Sequence, residues 1–265
     1  LIHLVLAVTI VMTAVMLAAW ATQRAAANGG WTDVFWTYGT GLSCAAAALL
    51  AGQGAGWRRI LVAAMVAVWA LRLGTYVARR VAASTEDVRY AYMRSSFGSG
   101  FQGKMFGLLI IQGPVTGLLS IAIIYAARQP APGFRAADLA GLLIMLLAIG
   151  GETLADRQMR QFKAGRHGPE AVCDQGLWAF SRHPNYLFEW LGWFAYPVIG
   201  LTASNPWSLL SLSAPVLMYA VLRFATGVPP LEAAMLRRKG AAYRLYQENT
   251  GAILPRLRRP SRQPH

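Results

Sequence analysis

Stretches of apolar residues succeed one another along this chain, at roughly 2–21, 34–52, 60–78, 105–127, 138–155, 187–203 and 207–226. About 20 residues in a helix cross about 30 Å of hydrocarbon. In lipid the backbone must satisfy its own hydrogen bonds, so a series of this kind folds as a bundle of membrane-spanning helices. The expectation is an all-α, multi-pass membrane protein with about seven transmembrane helices. The second stretch is the weakest, because "TYGTGLSC" is polar for lipid. The first lacks a basic leader and a small-residue cleavage site and is kept as a span. Composition agrees: 55% of residues are hydrophobic and 14% charged, where a soluble domain carries about 25% charged residues.

The net charge of +14 follows from where the basic residues fall. Of 25 Lys and Arg, 19 follow the first, third, fifth and seventh stretches, 4 lie on the other side and Arg72 and Arg223 fall inside stretches. Basic loops stay in the cytoplasm, so the expected orientation is N-terminus outside and C-terminus cytoplasmic. Topology accounts for the charge without a nucleic-acid partner. Cys44 and Cys173 stand in no CxxC or CxxH spacing, so they read as packing residues and no metal site is expected.

"GSGFQGK", residues 98–104, fits both GxGxxG and the start of a P-loop. Met105 stands where a P-loop needs Ser or Thr, and no strand is expected before it, so the segment reads as a flexible turn.

Function should concentrate in the two long cytoplasmic loops, about 79–104 and 156–185. The second ends in "SRHPNYLFEW", residues 181–190. Pro184 is suited to open a helix, and Asn185 and Glu189, four apart, share its face. A carboxylate at a membrane boundary faces a protein cavity rather than lipid. Upstream, Glu152, Asp156 and Arg160 follow one another at four-residue spacing, with Lys163 next and Arg166 beyond. The plain reading is a salt-bridged helix. The functional one is a polar face joined by "RHPNY", with His183 in it, at one interface. Clustered cations suit phosphates, carboxylates and Asn suit hydroxyls and a carboxamide, and Trp178, Tyr186 and Tyr246 can stack on flat rings. That inventory fits a dinucleotide held without a Rossmann fold, and equally another nucleotide-like cofactor such as S-adenosylmethionine. Residues 229–247, "PPLEAAMLRRKGAAYRLYQ", read as a short amphipathic helix at the membrane surface.

"DRQMRQFKAG", "GLWAFSRHPNYLFEWLGWFAY" and "LEAAMLRRKGAAYRLYQENTGAILP" together resemble the C-terminal half of the steroid 5α-reductase family, bacterial branch. That half is shared with sterol reductases and isoprenylcysteine carboxyl methyltransferases. The resemblance is strong over about 150–256, looser over 60–125 and weak before. It implies a single membrane domain over 1–265, with substrate-cavity helices in about 1–127 and cofactor-binding helices and loops in about 128–259. It also implies NADPH as cofactor and a lipid-like enone, such as a 3-oxo-Δ4-steroid, as substrate. The expected cofactor-binding residues are Arg79, Arg80, Asp156, Arg160, Lys163, Arg166, Trp178, His183, Asn185, Tyr186, Glu189, Arg223 and Tyr246.

Animal steroid reductases hold the substrate ketone with a Glu at the start of span two and a Tyr in span three. Here Asp33 is the nearest acid and Trp69 stands closest to that Tyr. A donor must stabilise the oxyanion formed as hydride reaches the β-carbon, and the candidates are Asp33 in neutral form, Tyr76 and Tyr90. The alternatives are an S-adenosylmethionine-dependent membrane methyltransferase and a non-enzymatic sterol- or lipid-binding protein. The expected partners are membrane lipid and the lipid-like substrate, with no protein partner required. The expected location is a bacterial inner membrane with the cofactor site facing the cytoplasm.

Overall fold

The computed structural model describes residues 1–256, and their regular secondary structure is helical. The helices are α1 (Ile2–Ala26), α2 (Trp31–Leu49), α3 (Gly56–Ala82), α4 (Val88–Phe97), α5 (Phe101–Ile110), α6 (Gln112–Ala127), α7 (Ala136–Ala164), α8 (Pro184–Gly192), α9 (Ala195–Gly200), α10 (Ser213–Ala220) and α11 (Val228–Asn249). Among the described residues there is no strand, and one isolated bridge pairs Ser181 with Gly251.

Five helical segments are long and apolar enough to cross a membrane: Ile2–Ala26, Gly56–Ala82, Val88–Ala127, Ala136–Ala164 and Pro206–Asn249. The sequence pattern gave seven. Helix α2 forms but is too polar to qualify, with Asp33 in its first turn. The stretch 187–203 divides into α8 and the six-residue α9. Pro197 lies inside α9 and has no N–H to offer the preceding turn. The stretch 207–226 is helical but irregular: a 3-10 segment Pro206–Leu212, then α10, then a π segment Val221–Ala225. The turn at 98–104 is a short 3-10 segment that runs from α4 into α5, so no strand precedes it.

The chain divides into two compact units. The first comprises Leu1–Met145 and Trp193–Leu217. Within it α1 packs on α2 and α6, α2 on α3, and α6 on α9. Gly113 and Gly117 allow the close approach of α6 to α1: a Cβ on either would run into the hydroxyl of Thr13 or Thr9. Trp36, Trp69, Trp193 and Tyr196 form a chain of ring contacts at 5.6–6.1 Å between centroids. At one end of this unit Arg58 is fully buried. Its Nε and Nη2 donate to both oxygens of Asp138 at 2.9 Å, and its remaining N–H groups reach the carbonyls of Gln129, Ala131 and Gly133. One arginine therefore fixes the whole link between α6 and α7.

The second unit comprises Leu146–Gly192 and the chain from Met218 onward. Gly151 lets the Phe188 ring lie against α7, which seats α8 there. Helix α11 is broken at Gly240, whose φ of 55° favours glycine. The amphipathic segment expected at 229–247 is thus two short helices in sequence.

Candidate functional site

In the second unit the segment before α8 is held from three sides. Trp178 Nε1 donates to the Ala155 carbonyl of α7 at 3.0 Å, and Leu177 N–H donates to Gln158 Oε1 at 2.9 Å. The Tyr246 hydroxyl of α11 donates to the carbonyl of Trp178. Arg182 N–H and His183 N–H donate to the carbonyls of Gly251 and Ala252 at 2.8 and 3.0 Å. Trp178 and Tyr246, expected as stacking surfaces, are buried and anchor the backbone that presents "RHPNY". "GAILP" is the strip against which that motif lies.

Glu232 is the hub. Its Oε1 accepts from Arg182 Nε at 2.7 Å and lies 3.0 Å from His183 Nε2, and its Oε2 accepts from Gln247 Nε2 at 2.7 Å. Arg182 completes its shell on the carbonyls of Gln247 and Thr250. The His183 ring stacks on Tyr186, 5.2 Å apart and 12° from parallel. Burial lowers the His183 pKa and outweighs the opposing pull of Glu232, while Arg182 and Arg223 push the same way as burial. Lys239, on α11, donates to the Ala171 carbonyl. Sequence reading missed Glu232, Arg182 and Lys239 as site-builders. The signal for Glu232 and Lys239 was an acid and a base on a helix that otherwise reads as a membrane-surface element, and Arg182 stood inside the quoted "SRHPNYLFEW" stretch.

Pro184 opens α8, as its missing N–H suits. Asn185 and Glu189 lie one turn apart on it, and Glu189 is buried. The Asn185 Oδ1 atom is buried and has no hydrogen-bond partner. Such an atom is costly in a folded protein unless something outside the chain meets it. On α7, Glu152 and Asp156 are both buried, while Arg160 and Lys163 follow as exposed residues near the helix end, with exposed Arg166 just past it. Arg223 is half-buried in the π segment, a kind of helix irregularity frequent at functional sites.

The three residues expected to act on the substrate lie in the first unit. Asp33 is in the first turn of α2, where the helix dipole favours a carboxylate. Arg89 donates to its Oδ2, and the Tyr90 hydroxyl donates to its Oδ1 at 2.8 Å. Thr32 donates to the Tyr90 oxygen at 2.9 Å. The arrangement is that of a carboxylate in an ion pair, not of the neutral acid expected. Asp87 caps α4 and binds Arg80 and Arg89. Burial alone would raise its pKa, but the two guanidinium groups prevail and hold it at about 2. Tyr76 packs beside the buried Val34, Val77 and Val81, with the guanidinium groups of Arg72 and Arg80 near its ring. Arg79 is exposed at the end of α3. Asp33 and Tyr90 therefore form one cluster, and Arg80 joins it through Asp87.

No solved structure matches the chain. An 82-residue segment is 38% identical to "Uncharacterized protein C594.04c" of Schizosaccharomyces pombe, covering 31% of this chain and 23% of that protein. The chain spans less than a quarter of that relative's length. A family model described as "Protein of unknown function (DUF1295)" matches residues 19–250, which takes in the whole motif-bearing second unit up to Thr250, and the chain belongs to that family.

Proposed function

We propose that the protein is a membrane-embedded, NADPH-dependent reductase of the double bond in a lipid-like enone, such as the Δ4 bond of a 3-oxo-steroid. The observation that carries the reading is the unpaired, buried Oδ1 of Asn185, on the same helix as buried Glu189 and beside a motif held rigid by Glu232. An amide oxygen left open in this way suits the N–H of a carboxamide, as on a nicotinamide ring. The donor set fits the rest of the molecule. Arg160, Lys163 and Arg166 suit phosphates, Asp156 and Glu152 suit ribose hydroxyls, and Tyr186, stacked on His183, offers a flat face. The bound dihydronicotinamide supplies a hydride for the β-carbon of the enone.

The chain's own residues then orient and stabilise. Asn185 fixes the carboxamide, and Glu232 holds the His183 ring and Arg182 in one geometry. In the first unit Tyr90, bound to Asp33, is the hydroxyl candidate for a developing oxyanion, and Tyr76 is the second. The steroid as substrate follows from the family resemblance.

The test is thermal unfolding of the purified protein with NADPH, NADH or S-adenosylmethionine. A ligand bound only to the folded state at about 100 times its dissociation constant adds about 2.7 kcal/mol. NADPH is expected to stabilise most, because the basic residues favour the additional 2′-phosphate. Stabilisation by S-adenosylmethionine and none by NADPH would make the protein a methyltransferase.

The orientation belongs to the same proposal. Loops 79–104 and 156–185 face the cytoplasm of a bacterial inner membrane, where the nucleotide is kept. Arg258, Arg259 and Arg262, which add to the charge asymmetry, lie outside the described residues. Single cysteines at Ser95 and Ala164 in a Cys-free background should resist a membrane-impermeant thiol reagent in intact cells and react after lysis.

A further inference from the structure

We propose that α1 and α5 form a binding site for the free hydroxyl of a bilayer-dissolved lipid alcohol, received between the Trp20 indole N–H and the Gln23 amide oxygen. Gln23 is fully buried on α1, and its Nε2 donates to Gln102 Oε1 of α5 at 2.8 Å. Its Oε1 has no partner, and neither has the buried Trp20 Nε1. The two residues are three apart and so share one helix face. Leaving a donor and an acceptor unmet within apolar, membrane-crossing segments is unfavourable, because no bulk water is there to meet them.

The pair defines its ligand. One atom only donates and the other only accepts, and a hydroxyl does both. An ether or ketone oxygen can meet the indole alone, and an ionised phosphate has no proton for the amide oxygen. The surroundings supply the rest of an amphiphile's contacts. The Phe106 ring of α5 meets Trp20 edge-on at 5.4 Å. Gly103 and Gly107 follow Gln102 and Phe106 by one residue each, and a Cβ on either would meet nothing within 4 Å, so an apolar chain has room along α5. The Arg24 guanidinium lies 4.7 Å over the Trp20 ring. The pair lies in the last two turns of α1.

The site shares no residue with the cofactor set, and its test uses no nucleotide. The full chain in phosphatidylcholine nanodiscs is melted with 1-dodecanol, dodecyl methyl ether or dodecane. Dodecanol should raise Tm by about 2–4 °C more than the ether, the shift that about 1 kcal/mol gives a protein of this size. Trp20→Phe removes only the donor and keeps the Gln23–Gln102 bond, so it should fold normally and lose the increment. Gln23→Leu should lose it as well. Equal shifts from dodecanol and the ether, the result also expected if a resident water already bridges the pair, would overturn the proposal. So would an increment that survives in either variant.

Discussion

Arg58 and Arg182 are both buried, and both combine one carboxylate with backbone carbonyls, yet they do different work. Arg58 meets both oxygens of Asp138, and the other side chain on that carboxylate is another guanidinium, Arg135. Every partner is fixed in charge. Arg182 shares Glu232 with a histidine and a glutamine, one residue from a helix whose Asn185 oxygen is unmet. A closed network makes a framework. A network shared with a titratable ring and bordered by an open acceptor has the makings of a site. The first belongs to the unit with the long packed helices, the second to the unit with the motif.

The largest expected effect follows from closure. Arg58→Met removes one of the two guanidinium partners of a fully buried carboxylate and leaves three loop carbonyls unmet. Breaking a buried pair in this way costs about 3–5 kcal/mol. Thermal unfolding in detergent should show a fall of roughly 6–20 °C, at about 2–4 °C per kcal/mol. The nucleotide-induced shift, measured on whatever fraction folds, should persist. A variant as stable as the parent would mean that the Arg58 cluster is not what holds the α6–α7 link.

Glu232→Gln is the counterpart in the second unit. The amide keeps hydrogen-bonding capacity, so the loss of stability should be smaller, about 1–3 kcal/mol for altered bonds to charged groups. Its effect on the NADPH-induced shift should be proportionately larger, because Arg182 and His183 lose the charge that positions them. The comparison between the two arginines fails if Glu232→Gln loses as much stability as Arg58→Met while its NADPH shift is intact.

How much of this was legible beforehand depends on the element. Helices α1, α3 and α7 were plain, because long apolar runs free of interior proline leave one solution in lipid. The stretches 187–203 and 207–226 were harder. Their apolar content matches that of spans, but Pro197 falls inside α9, and 3-10 and π turns replace regular helix on either side of α10. Hydropathy averages over such irregularities and cannot register them. In the site, Asn185 and Glu189 could be paired from spacing alone, since a helix fixes which residues share a face. Glu232 could not, because its partnership with His183 spans 49 positions of chain and is set by the approach of α11. The same holds for Asp33: its neutral form was expected from chemistry, and its ion pair with Arg89 across 56 residues is a fact of packing.

A moderate effect is expected from pH. The folded-state pKa of His183 is lowered by burial, below the value of about 6.5 usual for an unfolded chain. Between those two values the unfolded state binds more protons, so stability falls as pH drops below about 6.5 and is fully present above it. His183→Gln should flatten that part of the Tm-versus-pH curve. The Arg58 cluster holds no histidine and should contribute nothing there. An unchanged slope in the variant would show that His183 titrates in the folded protein as it does in the unfolded one.

The smallest expected effect on stability is the most informative about function. The unpaired Oδ1 of Asn185 makes no hydrogen bond that a substitution can break, so Asn185→Ala removes an unmet polar atom along with a modest amount of packing. The two changes oppose each other, and Tm without nucleotide should stay within about 1 kcal/mol of the parent, in the range of ordinary mild substitutions. If that oxygen exists to receive a carboxamide, the same variant should lose most of the NADPH-induced shift and all measurable turnover of an enone. Stability untouched and ligand response lost is a combination that no residue of the Arg58 cluster should reproduce. A large fall in Tm would show that Asn185 is framework, and the distinction drawn from open and closed networks would not hold at the residue where it matters most.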